Sequence, residues 1–343
     1  MEHNYRSHIW FMAGGFALFL ILFVLFQDQK PSSPEERSPA PSTTSTLVSV
    51  SSTTATHPLS LSTLFTKTYN GSHFTIGRVL EKNVAYTRYY ITYRSGELII
   101  SGIMNVPTGT GPFPVLILNH GHIDTTIYTN GRGLRREQDF FARAGYIVVH
   151  PDYRNHAQSS KDTRDELAVR LGYTEDVINV VYALRAANLS YVDGEHIGML
   201  GHSMGGGITL AALVAQPDLI DAAVLYAPVS GDQRKSYERW MSRRPEAADK
   251  IRTLYGEPAS SPAFWNSVSA ETYYDRIHAP VVIFHGTADK DVPLDWSKDT
   301  ERLLQEAGKD ARLVIYPNEA HEFGRDWSDF MQQSKALFDE HLR

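Results

Sequence analysis

Six short runs of apolar, β-branched-rich residues restrict what this chain can fold into more than any other feature. They are residues 114–119 (PVLILN), 146–150 (YIVVH), 196–200 (HIGML), 222–226 (AAVLY), 281–284 (VVIF) and 312–316 (RLVIY). Each is too short for an ordinary helix and lacks the polar alternation of a half-exposed strand, so each reads as a strand covered on both faces. Helical patterns over 134–144, 174–187, 204–215, 294–307 and 327–341 lie between and after them. That alternation predicts an α/β fold: a mostly parallel sheet with helices on both sides. Residues 89–94 and 98–106, joined by Ser95-Gly96-Glu97, read as an antiparallel hairpin at one edge.

The strand at 196–200 runs directly into Gly201-His202-Ser203-Met204-Gly205-Gly206, after which the pattern turns helical. A G-x-S-x-G motif carries meaning in this strand, sharp turn, helix setting. The serine occupies a strained backbone position, and side chains at 201 or 205 would collide with neighbouring elements. The hydroxyl then stands clear of the sheet, and the Met204 amide lies at a helix N-terminus, where unpaired donors can stabilise an oxyanion. Taken by itself, such a turn is only a glycine-rich connector. The two flanking elements make it a nucleophile elbow.

A serine hydroxyl needs a histidine within hydrogen-bond reach and a third group to orient that histidine. On this kind of sheet the chain order is Ser, then Asp or Glu, then His. Asp289 follows the 281–284 strand in His285-Gly286-Thr287-Ala288-Asp289, and His321 follows the 312–316 strand in Pro317-Asn318-Glu319-Ala320-His321. Both loops open on the rim that carries Ser203. The competing acids are Asp291 and Asp295, which also suit surface solvation or a helix cap, and Asp232 after the preceding strand. His285 also suits a local hydrogen bond at its strand end. The loop Asn119-His120-Gly121-His122 is placed to supply the second oxyanion donor, through the His122 amide. His120, His122 and Asp124 alternate as metal ligands would, but no fourth ligand is evident nearby. Neither a metal nor a cofactor is expected.

Set apart from this pattern is the N-terminus. After a short tail, 1–8, residues 9–26 are uncharged and almost all apolar, close to the length needed to span a hydrocarbon core. The run exceeds the usual signal-peptide core and ends in Leu25-Phe26-Gln27 without a small-x-small site, so it reads as an uncleaved transmembrane signal anchor. Orientation is expected with the tail cytoplasmic and the catalytic domain on the extracytoplasmic side. Residues 27–73, rich in Ser, Thr and Pro, read as a linker, and 74–343 as the catalytic domain. The connection 231–278 is too long for a simple crossover and reads as a lid-like insert. A net charge of -6 without a Lys/Arg cluster excludes a nucleic-acid footprint, and the absence of cysteine excludes a thiol nucleophile.

Together these residues resemble the α/β-hydrolase superfamily, and within it the catalytic domain of prolyl oligopeptidase-like serine peptidases. Further pieces of the resemblance are Pro151-Asp152-Tyr153-Arg154, Tyr173-Thr174-Glu175-Asp176, and Leu254-Tyr255-Gly256-Glu257-Pro258 leading to Ala263-Phe264-Trp265. His285-Gly286-Thr287-Ala288-Asp289-Lys290-Asp291-Val292-Pro293 and Ala320-His321-Glu322-Phe323 complete it. The resemblance implies a catalytic triad of Ser203, Asp289 and His321, an oxyanion hole at Met204 and His122, and a small peptide or ester substrate. It also shows two departures. The larger peptidases of that family carry an N-terminal β-propeller, whereas a tether precedes the domain here. His122 replaces the second glycine of the usual H-G-G loop. Stand-alone domains of this kind also resemble carboxylesterases and acyl esterases; a non-catalytic binding module is the alternative from another class.

Overall fold

The computed structural model describes residues 56–343. The expected membrane anchor and most of the tether lie outside the described residues. Among the described residues no helix is long and apolar enough to cross a membrane.

Among the described residues nine strands form one sheet: β1 (Ser72–Lys82), β2 (Tyr86–Ser95), β3 (Leu98–Pro107), β4 (Phe113–Asn119), β5 (Ile147–Pro151), β6 (Val192–His202), β7 (Ala222–Tyr226), β8 (Val281–Gly286) and β9 (Ala311–Tyr316). Their spatial order is β1-β2-β3-β5-β4-β6-β7-β8-β9. From β5 to β9 all neighbours are parallel, while β1, β2 and β3 pair antiparallel and join through β3 to β5. The expected hairpin is present, with Ser95 opposite Leu98 across a turn in which Gly96 adopts φ 60°. It is not the edge, because β1 adds a further strand outside it. That strand is largely exposed and presents no apolar run to mark it.

Five of the six short apolar runs are largely buried strands; the sixth, in β9, is not covered on both faces as expected, because β9 is the sheet edge, where Ala311 and Tyr316 are buried and Ile315 is exposed. Every residue of β5, β7 and β8 is buried. On β4 the side chains divide by parity, as a period of two requires. Leu116 and Leu118 face α1 (Arg135–Arg143) and α8 (Trp327–Leu342), packing in a cluster with Phe141, Phe330 and Phe338. Val115 and Ile117 join the opposite cluster, which holds Val177 and Val181 of α2 (Glu166–Ala187) and Leu210 of α3 (Met204–Ala215). Each such fully buried side chain contributes about 1.5–3 kcal/mol. α7 (Leu294–Glu306) lies on this second face through Leu304.

Two boundaries differ from expectation. α2 starts at Glu166 rather than near 174, because Asp165 caps it by accepting from the amides of Leu167 and Ala168 at 3.1 Å each. The packed domain also begins before residue 74. A 3₁₀ turn over Leu61–Leu64 buries Leu61 and Leu64 in the core, so the end of the stretch read as linker belongs to the domain.

Between β7 and β8 the chain forms α4 (Gln233–Arg239), α5 (Pro245–Tyr255) and α6 (Pro262–Ser267), the helical insert expected over 231–278. Trp265 is its fully buried anchor, stacked at a tilt on Tyr237 with 4.9 Å between ring centres.

Candidate active site

Ser203 lies between β6 and α3 with φ 56° and ψ −119°, a conformation that L side chains rarely adopt. Its amide donates to the Tyr226 carbonyl at 2.9 Å, and its own carbonyl accepts from Val229 at 3.0 Å, so β7 holds the turn from the side. Close approach explains the glycines. A Cβ at Gly205 would overlap the backbone of Asn119, and one at Gly121 would come to 3.1 Å from the Ser203 Cβ. The β4 loop therefore passes directly against the serine.

His321 donates from Nδ1 to Asp289 Oδ2 at 2.7 Å, which leaves its Nε2 as an acceptor. The Asp289 side chain is fully buried, and its other oxygen accepts from the amides of Asp291 (2.8 Å) and Val292 (2.9 Å). Burial alone would oppose ionisation of this carboxyl. Hydrogen bonds from His285 and His321 outweigh that and hold it well below the ordinary carboxylate range. The loops carrying Asp289 and His321 are tied together: Thr287 N–H donates to the Tyr316 carbonyl (3.0 Å) and Ala288 N–H to the Glu319 carbonyl (2.9 Å). The Glu319 carboxylate accepts from the amides of Gly324 and Asp326, each at 2.7 Å, and so wraps the His321 loop.

Ser203, His321, His122 and Met204 line one cavity of about 340 Å³, walled on the far side by Trp240 and Met241 of the insert. No hydrogen bond joins Ser203 Oγ to His321 in this structure; such links are often long before substrate binds. Met204 opens α3, where first-turn amides have no partner within the helix. The His122 ring faces the same cavity and is held at about 4 by burial and then by the charges of Arg170 and Arg244.

Two of the competing acids, Asp295 and Asp232, do not line this cavity. Asp295 is exposed and paired with Lys298 at 2.9 Å. Asp232 caps α4 and pairs with Arg234 at 2.8 Å. Asp291 lines the cavity, and its carboxylate lies within 4.8 Å of ligand atoms of Asp289 and His321. Four N–H groups already occupy the Asp289 oxygens, so this trio is poorly composed to hold a metal. His120 lies buried in an aromatic cluster, 4.2 Å from the Tyr153 ring centre, and Asp124 is exposed.

Two further histidines contact Asp289 and His321 in ways that their sequence positions do not reveal. His285 Nε2 lies 3.1 Å from Asp289 Oδ2 and equally far from the Val292 carbonyl, while the Ser297 hydroxyl donates to His285 Nδ1 at 2.7 Å. His202 donates from Nε2 to the His321 carbonyl at 3.1 Å, with ring centres 4.6 Å apart. A histidine inside the elbow motif was the only available signal for the second contact.

The family model described as the prolyl oligopeptidase family matches residues 132–343. The acylamino-acid-releasing enzyme of Arabidopsis thaliana is 23% identical over 57% of this chain and 26% of its own length. A probable dipeptidyl peptidase 4 of Aspergillus fumigatus is 30% identical over 43% of this chain and 18% of its own. The chain thus spans about a quarter or less of these curated relatives. Among solved structures, the acylaminoacyl peptidase of Pyrococcus horikoshii superposes with a TM-score of 0.62 at 22% identity, covering 75% of this chain and 42% of that one. Acetyl xylan esterase 1 of Thermoanaerobacterium sp. gives 0.61 at 18% identity, covering 78% and 88%. At these identities the structures establish the fold. The family match extends over more than half of the sequence and takes in Ser203 and the loops of Asp289 and His321, so the chain belongs to the prolyl oligopeptidase family.

Proposed function

We propose that the chain is a serine peptidase working through an acyl-enzyme. In this reading Ser203 attacks a carbonyl, His321 Nε2 takes the hydroxyl proton and returns it to the leaving amine, and Asp289 holds the imidazole in the productive tautomer. The amides of Met204 and His122 receive the developing oxyanion. The observation that carries this is the 2.7 Å bond from His321 Nδ1 to a buried, ionised Asp289, at the rim of the cavity that Ser203 enters. The family's peptidase relatives support cleavage of peptide bonds. Labelling with a fluorophosphonate, followed by mass spectrometry of the Ser203 peptide, tests the nucleophile. Loss of turnover of aminoacyl amides in Ser203→Ala is the expected companion result, and unchanged turnover in that variant would refute the reading.

Ester hydrolysis is the second reading, since the same groups attack an ester more easily than an amide. The superposition on an acetyl xylan esterase over most of both chains supports it. Parallel assays on matched amide and ester substrates separate the two.

Residues 9–26 support a further proposal: a single membrane anchor that holds the catalytic domain on the extracytoplasmic side. Recovery of the full chain in the soluble fraction after carbonate washing of membranes would contradict it.

A further inference from the structure

One wall of the cavity beside Ser203 carries two guanidinium groups that share a single carboxylate. Arg170 on α2 donates from Nη2 and Nε to Glu166 Oε1 at 2.7 and 3.0 Å. Arg244, which precedes α5 in the insert, donates from Nη1 to the same oxygen at 2.9 Å. Two cations therefore face one anion, leaving a local excess of one positive charge. Both arginines line the cavity together with Ser203. Nη1 of Arg170 meets the Met204 thioether at 3.2 Å, a much weaker acceptor than a carboxylate.

Leu171, Ile208, Ala211, Val229 and Met241 supply the apolar part of the lining, and Thr174, Gln233 and Ser236 add neutral polar groups. Among the described residues the one acidic side chain lining this cavity, Asp291, clusters with Asp289 and His321. The field of the arginine pair reaches the oxyanion side, since both guanidiniums are among the causes, after burial, that hold His122 at about 4. A cavity that combines apolar side chains with under-used guanidinium donors suits a ligand with an apolar stem and an anionic tip, because arginine's planar fork matches a carboxylate.

We propose that Arg170 and Arg244 form a carboxylate-recognition subsite, so that the acyl group preferred by the enzyme has an apolar stem and a terminal carboxylate, as an acidic aminoacyl residue does. This assignment rests on the acyl-enzyme reading. The incoming carboxylate takes up Arg170 Nη1, now against a thioether, together with remaining N–H groups of Arg244.

The test compares acetyl-Glu and acetyl-Gln substrates, which differ in charge but hardly in shape, each as the p-nitroanilide and as the thiobenzyl ester. The full-length enzyme should favour the Glu member of each pair by about tenfold or more in kcat/KM, with the preference shrinking as salt is raised. The double variant Arg170→Gln, Arg244→Gln should bring the Glu/Gln ratio toward one. Glu166→Gln, which keeps both arginines and removes their competing carboxylate, should raise the ratio; it keeps the test decisive if the double variant does not fold. A wild-type ratio near one on substrates that turn over through Ser203 would overturn the subsite alone. Equal losses on both members of a pair in the double variant, with the ratio unmoved, would do the same. Failure of all four substrates to turn over through Ser203 would bring down the acyl-enzyme reading and this assignment with it.

Discussion

His285 Nε2 lies 3.1 Å from Asp289 Oδ2, the oxygen that also accepts the hydrogen bond from His321 Nδ1. Two imidazoles thus grip one carboxylate oxygen, one from inside the sheet and one from the cavity rim. The inner histidine is fully buried and is itself fixed by Ser297. Replacing it by His285→Leu removes a charge-assisted donor worth about 1.5–3 kcal/mol. The expected outcome is a roughly tenfold to hundredfold lower kcat with KM little changed. Steady-state kinetics with a circular-dichroism control checks this, and an unaltered kcat in a folded variant would speak against a positioning role.

Asp289→Asn keeps the size of the side chain but presents an amide where the carboxylate stood. His321 can then be held in the wrong tautomer, with Nε2 protonated toward the serine. A fall in kcat of about 10⁴ follows from that mechanism. Turnover by this variant within about tenfold of the wild type would mean that another acid orients His321.

Acid should destabilise the fold before it affects the surface. His120 and His202 are both held at about 3 instead of 6.5 by burial and then by a neighbouring imidazole, His156 and His321 respectively. Below pH 6.5 the unfolded chain takes up protons at these sites, while the folded chain refuses them until about pH 3. Stability therefore falls as the pH drops through that window and is not affected by these two groups above it. Asp289 adds to the same trend lower down. Its folded value is depressed, so its contribution is present above the unfolded value of 3.8 and is lost as the pH falls through the folded one. Urea midpoints should fall between about pH 7 and pH 5, with a shallower slope in His202→Asn. A midpoint that rises on acidification would contradict this account.

Gly205→Ala should fail structurally rather than chemically. The added Cβ would overlap the Asn119 carbonyl and press on that of His120, both backbone groups at the end of β4. Rigid backbone cannot step aside as a flexible side chain can, so a loss of about 3 kcal/mol or more is expected, read as a lower urea midpoint or as insoluble protein. Wild-type stability would show that the elbow and the β4 loop are further apart than described.

Much of this site was legible because its chemistry is written locally. The elbow at Ser203 and the loops of Asp289 and His321 each follow a short apolar strand, and parallel strands deliver such loops to one rim. The part that was hidden depends on contacts between distant positions. His202 reaches the His321 carbonyl across 119 residues, and Arg244 reaches Glu166 across 78, with no periodicity to announce either. β1 was missed because an exposed strand carries no apolar run. Leu61 and Leu64 were missed because a Ser/Thr-rich neighbourhood disguised two leucines that the core absorbs.

The backbone of residue 203, at φ 56° and ψ −119°, is where glycine would rest most easily. Ser203→Gly should then relieve about 1–3 kcal/mol of strain while deleting the attacking oxygen. Under the acyl-enzyme reading, the inert protein is then the sturdier one. Selection of variants for heat resistance alone would drift toward silence at this position, and any programme to harden the enzyme has to screen for turnover at every round.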